Sequence, residues 1–243
     1  MKYVIVGNSA AGIGCIEGIR STDSVGEIVM FTDEPYHTYS RPLISYYLQG
    51  KTDIANMAYR PENFYIANNV RLEREVTVSA IDDGNKRVIL ENDRTETYDK
   101  LLLATGSRAA TPPIEGLEKV KHRFTFLTLD DAKALKETVT PQSRVLIIGA
   151  GLIGLKCAEG LSAAGCGITV ADIAGRVLPA ALDEGGAAVV QRHLEQQGLE
   201  FLLNSQIMKL EDGRAIFAGG ECVDFDILVV AAGVLPNTQL MCA

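Results

Sequence analysis

Val145-Leu146-Ile147-Ile148-Gly149-Ala150-Gly151-Leu152-Ile153-Gly154 is the stretch that decides the fold. Four apolar residues read as a buried strand, three glycines in G-x-G-x-x-G spacing read as a tight turn, and the small residues beyond, through Ala158 and Gly160, read as a helix. A dinucleotide pyrophosphate needs backbone N–H groups at close range and the positive end of a helix dipole, so side chains must be missing where the turn meets the phosphates. Gly149, Gly151 and Gly154 meet that requirement, with Leu152 and Ile153 opening the helix. Asp172 comes roughly 20 residues after the first glycine, where a carboxylate accepts both hydroxyls of an adenosine ribose. The same carboxylate repels a 2′-phosphate, which favours NADH over NADPH. Arg176 counters this if it pairs with a phosphate; otherwise it is a solvated loop residue.

A second copy of the plan stands at the N-terminus: Gly7-Asn8-Ser9-Ala10-Ala11-Gly12 follows a short apolar strand and opens another small-residue helix. Ser9 occupies the second glycine position, where a small hydroxyl residue still permits close approach or adds a hydrogen bond to phosphate. Its acids are Asp33 and the adjacent Glu34, somewhat further along than in the other copy, and either can hold a ribose. Two copies far apart in the chain predict two related α/β domains and not a solenoid. The expected architecture is therefore two Rossmann-like dinucleotide-binding domains, residues 1–110 and 111–243, with a β-meander or hairpin inserted in the first. That hairpin is read from residues 70–81 and 86–90 around the turn-forming Asp82-Asp83-Gly84-Asn85. The apolar run 101–104 is a buried strand stopping at Thr105-Gly106, and Thr111-Pro112-Pro113 is the candidate linker. Helices are expected over 130–138 and 184–197, and further strands over 201–203, 215–217 and 227–231.

The bulk properties exclude several classes. Hydrophobic residues make up 47% and charged residues 22% of the 243, as in an ordinary globular chain. The net charge of −8, without a basic run, removes the electrostatic footprint of a nucleic-acid binder. No apolar run is long enough for a membrane span or a signal peptide, so a cytoplasmic location is the expectation. Cys15, Cys157, Cys166, Cys222 and Cys242 are odd in number and contain no C-x-x-C pair, which predicts reduced, mostly buried thiols and no metal site. His37, His122 and His193 have no Ser or Cys partner at a recognisable spacing, and no side chain is assigned a nucleophilic role.

Further segments carry a family resemblance: Asp33-Glu34-Pro35, Tyr39-Ser40-Arg41-Pro42, Arg60-Pro61-Glu62-Asn63-Phe64-Tyr65, Tyr98-Asp99-Lys100 running on to Gly106, and the stretch 229–237 ending Gly233-Val234-Leu235-Pro236-Asn237. With the two glycine turns, they make the chain resemble the FAD-dependent pyridine nucleotide-disulfide oxidoreductases. Within that superfamily it is most similar to the branch of NADH-dependent rubredoxin and ferredoxin reductases, NADH oxidases and the flavin portion of nitrite reductase. The resemblance implies FAD and NAD as cofactors. It puts Arg41 and Pro42 beside the flavin, the Val78 backbone against adenine, Ala104-Thr105-Gly106 at a crossover touching FAD, and Gly233 near the nicotinamide dinucleotide. It implies hydride transfer from NADH to FAD and then electrons to a rubredoxin-, ferredoxin- or nitrite-reductase-type acceptor. Two readings compete with a small-protein reductase: a module of a larger nitrite-reductase-type enzyme, and a non-catalytic nucleotide-binding or redox-sensing module.

Three departures from the family pattern qualify this. Ser40-Arg41-Pro42 stands where some relatives keep a redox cysteine, so direct flavin chemistry is expected in place of disulfide chemistry. Lys156 stands where relatives usually carry Glu. The segment that returns to the FAD domain, with an Asp for the ribityl chain and a C-terminal domain after it, is expected beyond residue 243. The FAD domain is on that reading incomplete. Acceptor identity and oligomeric state, including a homodimer of a full-length protein, are left open.

Overall fold

The computed structural model describes residues 1–211 and 213–241. The chain divides into two compact units: the first holds Met1–Ser40, Ala55–Ser107 and the chain from Pro236 onward, and the second holds Arg41–Ile54 and Arg108–Leu235.

In the first unit, β1 (Lys2–Val6) runs through the glycine turn into α1 (Ala10–Thr22), and β2 (Glu27–Phe31) follows. α2 (Ile44–Leu48) belongs to the second unit, after which α3 (Phe64–Ala67) and β3 (Val70–Glu73) resume the first. β4 (Val78–Asp82), β5 (Arg87–Leu90), β6 (Thr95–Thr97) and β7 (Lys100–Leu103) complete it. Its main sheet is parallel in the order β3-β2-β1-β7, and β4-β5-β6 form an antiparallel sheet. Strand alternation divides the core: Val4, Val6, Val29 and Phe31 face the antiparallel sheet through Val78, Val88, Leu90 and Tyr98. Ile5, Ile28 and Met30 face the other way, onto Ile13 and Ile16 of α1 and onto Phe64 and Tyr65.

The second unit repeats the plan. β8 (Ser107–Ala109) leads in at the point where the chain crosses between units, then come β9 (Arg123–Phe124), α4 (Leu129–Thr138), β10 (Arg144–Ile148), α5 (Leu152–Ser162) and β11 (Gly167–Ala171). α6 (Glu184–Gln196), β12 (Leu199–Leu202), β13 (Ile207–Glu211), β14 (Arg214–Phe217), β15 (Cys222–Asp224), β16 (Ile227–Val230) and β17 (Val234–Pro236) follow. The parallel sheet runs β12-β11-β10-β16-β9, and β13-β14-β15 form the antiparallel companion that covers Leu146, Leu228 and Val230 with Ile207, Leu210, Phe217 and Phe225. α4 is locked by a capping box in which Thr128 and Asp131 exchange hydrogen bonds. Gly198, at φ +89°, lets the chain leave α6.

Two features differ from the sequence expectation. Residues 70–81 are two strands in two sheets, because Glu75 adopts φ +55° and the Val76 N–H donates to Thr32 O at 2.9 Å, which breaks the run between β3 and β4. The division also departs from a single boundary at residue 110. The α2 segment packs with α4 and α5: Gln49 Nε2 donates to Glu159 O at 2.8 Å, Lys136 Nζ donates to Tyr47 O at 2.9 Å, and Leu48 fills the space left by the missing Gly160 side chain. From Pro236 the chain rejoins the first unit, with Leu240 packed on its core.

At the start of β16, Asp226 accepts from Arg144 N (2.8 Å), Nε (3.1 Å) and Nη2 (2.8 Å). The guanidinium first, and the backbone N–H second, pull its carboxyl down to about 2. A lowered folded-state value means stability present above the unfolded value near 4 and lost as pH falls toward 2. Asp226→Asn is therefore expected to flatten the acid limb of the second unit's stability in that window. The pair is exposed, so the loss at neutral pH is below about 1 kcal/mol; urea titrations from pH 5 to 2 measure it.

Candidate functional site

The second unit builds its site on the ends of β10, β11 and β16. Gly149 sits at φ +115°, and a Cβ there would lie 2.3 Å from Ala231 O; one on Gly154 would lie 1.9 Å from Gly149 O. These two glycines let strand, turn and helix approach one another. Gly151 has open space around it, nothing lying within 4 Å of a Cβ, so the fold itself does not demand glycine there. A dinucleotide seated on the turn would demand it. A cleft of about 460 Å³ opens over the turn, lined by Gly149, Gly151, Asp172, Ile207 and Gly233 among others. Asp172 Oδ2 accepts from Ala150 N at 2.6 Å and Oδ1 from Ala174 N at 2.8 Å, which holds the carboxylate over the mouth of the turn. Beside it Ile173 is 75% exposed and Leu152 67%, apolar surface suited to a flat base or ring. Arg176 is neither a free charge nor aimed at the cleft: Nε donates to Leu182 O and Nη2 to Pro179 O, both at 3.3 Å, bracing its own loop.

The first unit reproduces this geometry bond for bond. Gly7 N donates to Phe31 O (2.9 Å) as Gly149 N does to Ala171 O (2.8 Å), and Ala104 N to Val6 O as Ala231 N to Ile148 O, both 2.8 Å. Thr32 N donates to Glu73 O (3.0 Å) as Asp172 N does to Leu202 O (2.9 Å), and Val76 N to Thr32 O as Ser205 N to Asp172 O, both 2.9 Å. The same crowding recurs: a Cβ on Gly7 would lie 2.1 Å from Ala104 O, and one on Gly12 2.1 Å from Gly7 O. Ser9 matches Gly151, the one open position of the turn, and its hydroxyl makes no capping bond to α1. Ala10 and Ala11 open α1 as Leu152 and Ile153 open α5.

This equivalence sharpens the list of candidates. The residue in register with Asp172 is Thr32, buried, whose Oγ1 accepts from Glu34 N at 3.3 Å. Asp33 is the next residue and is exposed, and Glu34 is half-buried. Val78 opens β4 as Ile207, a lining residue of the cleft that carried no expectation from the sequence, opens β13. Thr105-Gly106 likewise matches Ala232-Gly233. Pro112 and Pro113, read as a linker, line the cleft of the second unit. Arg41 and Pro42 lie in the second unit, where Arg41 Nη1 donates to Leu127 O at 3.2 Å. Lys156 pairs with Glu159 and lies 5.3 Å from the Tyr46 ring centre, all three in that unit.

The pattern of the family's matched residues covers the whole chain: residues 1–243 fit the model for pyridine nucleotide-disulphide oxidoreductases. The chain belongs to this family. It is 35% identical over 98% of its length to the assimilatory nitrate reductase electron transfer subunit of Bacillus subtilis, of which it covers 32%. Among solved structures it is similar to putidaredoxin reductase in its covalent complex with putidaredoxin (27% identity, TM-score 0.91, 99% of this chain and 60% of that one). It is also similar to a water-forming NADH oxidase from Lactobacillus brevis bound to NADH (26%, TM-score 0.90, 99% and 55%). An engineered NADPH-bound form of that oxidase, at 25% identity, carries five substitutions, among them aspartate to alanine and two changes to arginine. The chain thus spans from about a third to under two thirds of the length of these similar proteins.

Three of the thiols are shielded to different degrees. Cys157 is fully buried, and burial pushes its thiol far up; burial also raises Cys15 and Cys166. All three are held as thiols, the poor nucleophile. Against the expectation of mostly buried thiols, only Cys157 is fully buried among the described cysteines, Cys15 and Cys166 being half-buried and Cys222 exposed; Cys242 lies outside the described residues. His37 Nε2 is 2.9 Å from Arg60 O, His193 Nε2 is 2.9 Å from Gln197 Nε2, and His122 is exposed. Among the described residues no group of His, Cys, Asp or Glu is arranged for a metal ion, and no helix is long and apolar enough to cross a membrane.

Proposed function

We propose that this chain is the nucleotide-binding portion of an NADH-dependent flavin reductase, with NADH on the second unit and FAD on the first. The single observation that carries this is the bond-for-bond repetition of one nucleotide-binding plan, with the ribose carboxylate kept in one copy and replaced by Thr32 in the other. Two unlike dinucleotides suit two unlike copies. In the second unit the N–H groups of the 149–154 turn hold the pyrophosphate, Asp172 takes the ribose hydroxyls, and Ile173 and Ile207 flank the adenine. In the first, the turn 7–12 with Ser9 holds the FAD pyrophosphate, Glu34 or Asp33 reaches the ribose, and Val78 and Thr105-Gly106 line the remaining wall. When bound, the nicotinamide supplies a hydride and the flavin accepts it and passes electrons on. The chain's own residues position and exclude water; none needs to act as a nucleophile.

The acceptor is proposed to be a redox protein or a further redox centre. The similarity to putidaredoxin reductase and to an electron transfer subunit supports that choice. Protein carrying yellow flavin, bleached by NADH in the absence of oxygen, is the expected result. A colourless protein that binds NADH and cannot take up added FAD would instead favour a nucleotide-binding module.

A further inference from the structure

Thr105-Gly106 matches Ala232-Gly233 in register, yet the two walls are held differently. In the first unit the wall is clasped by a residue far away in sequence. Asn237 Nδ2 donates to Thr105 O at 2.9 Å, Thr105 Oγ1 donates to Asn237 O at 2.7 Å, and Asn237 N donates to Gly106 O at 3.0 Å. Ala232 has no hydroxyl with which to make the equivalent bond; Gly233 O instead accepts from Ala110 N at 2.9 Å. Gly106 is exposed at φ +64°, with nothing within 4 Å of a Cβ position.

We infer that Asn237 is a positioning residue for the flavin site: by clasping Thr105-Gly106 it fixes the wall of the first unit's nucleotide cleft, so that flavin affinity depends on the chain's return past residue 236. The inference rests on the proposed placement of FAD in the first unit. Physically, the carboxamide and the Thr105 hydroxyl add two bonds to the single backbone bond between Thr105-Gly106 and Asn237, and without them the peptide that faces the ligand is ordered only when the ligand arrives. That ordering cost then falls on FAD affinity. The second unit's site has no part in the clasp.

The test compares Asn237→Ala, Asn237→Asp and Thr105→Val with the unaltered protein, titrating FAD and, separately, NADH, with melting temperature and amide exchange at residue 237 recorded for each. Asp keeps the size of Asn but cannot donate to Thr105 O. Losing the side-chain bond is expected to weaken FAD binding roughly tenfold for either substitution at 237, and about threefold for Thr105→Val, with NADH binding changed less than about twofold. Faster exchange at residue 237 accompanies the loss. FAD affinity equal to that of the unaltered protein, with exchange at 237 accelerated, would overturn the inference while leaving the FAD assignment intact. An unaltered protein that binds no FAD would overturn the assignment and the inference with it. Should Asn237→Ala fail to fold, Thr105→Val and Asn237→Asp decide the question by the same readings.

Discussion

Gly149→Ala is expected to lower NADH affinity by at least about 100-fold, equivalent to about 2.7 kcal/mol, while leaving FAD binding in the first unit unchanged. The backbone at φ +115° belongs to glycine, and the new methyl carbon would lie 2.3 Å from Ala231 O, a backbone atom just past the end of β16 whose residue is tied to β10 by the bond from Ala231 N to Ile148 O. Either β10 and β16 separate at their ends or the turn changes shape. Both outcomes move the N–H groups that face the pyrophosphate. Fluorescence titration with NADH measures the loss, and urea unfolding shows how much of it is shared with stability, where a cost of about 1–3 kcal/mol is expected. An affinity within threefold of the unaltered protein would show that the pyrophosphate does not sit on this turn. Gly151→Ala supplies the contrast: its surroundings are open, so stability should hold while binding falls.

The second large effect concerns which nicotinamide dinucleotide binds. Asp172→Ala combined with Ile173→Arg is expected to shift the ratio of NADPH to NADH affinity by roughly 10³, about 4 kcal/mol, in favour of NADPH. Removing the carboxylate costs NADH its ribose hydrogen bonds and relieves NADPH of like-charge repulsion; the arginine, on a side chain already 75% exposed beside Asp172, adds a phosphate pair. The ratio is the proper observable because Asp172 also binds the N–H groups of Ala150 and Ala174, so its loss loosens the turn for both cofactors alike. Asp172→Asn, which removes the charge and keeps one acceptor, should give a smaller shift in the same direction. An unchanged ratio would place the adenosine ribose elsewhere.

Much of this site was legible in the sequence because its chemistry is local. The G-x-G-x-x-G spacing, the strand before it and the small-residue helix after it all lie within about twenty residues, and each glycine acts on its own backbone. The open position at Gly151 explains why Ser9 did not erase the first copy: the fold tolerates a side chain there.

What the sequence by itself determined, then, was two α/β nucleotide-binding plans and the residues of their turns. The tertiary structure alone decided which residues stand in register across strands. It put Thr32, not Asp33, in Asp172's place, split residues 70–81 between two sheets, turned Pro112 and Pro113 into a cleft wall and gave α2 to the second unit. The physical reason is the same in each case. A turn is fixed by torsion angles within a few residues, whereas register and packing are fixed by hydrogen bonds and apolar contacts between residues far apart in the chain, such as Thr32 with Glu73, Leu48 with Gly160 and Asn237 with Thr105.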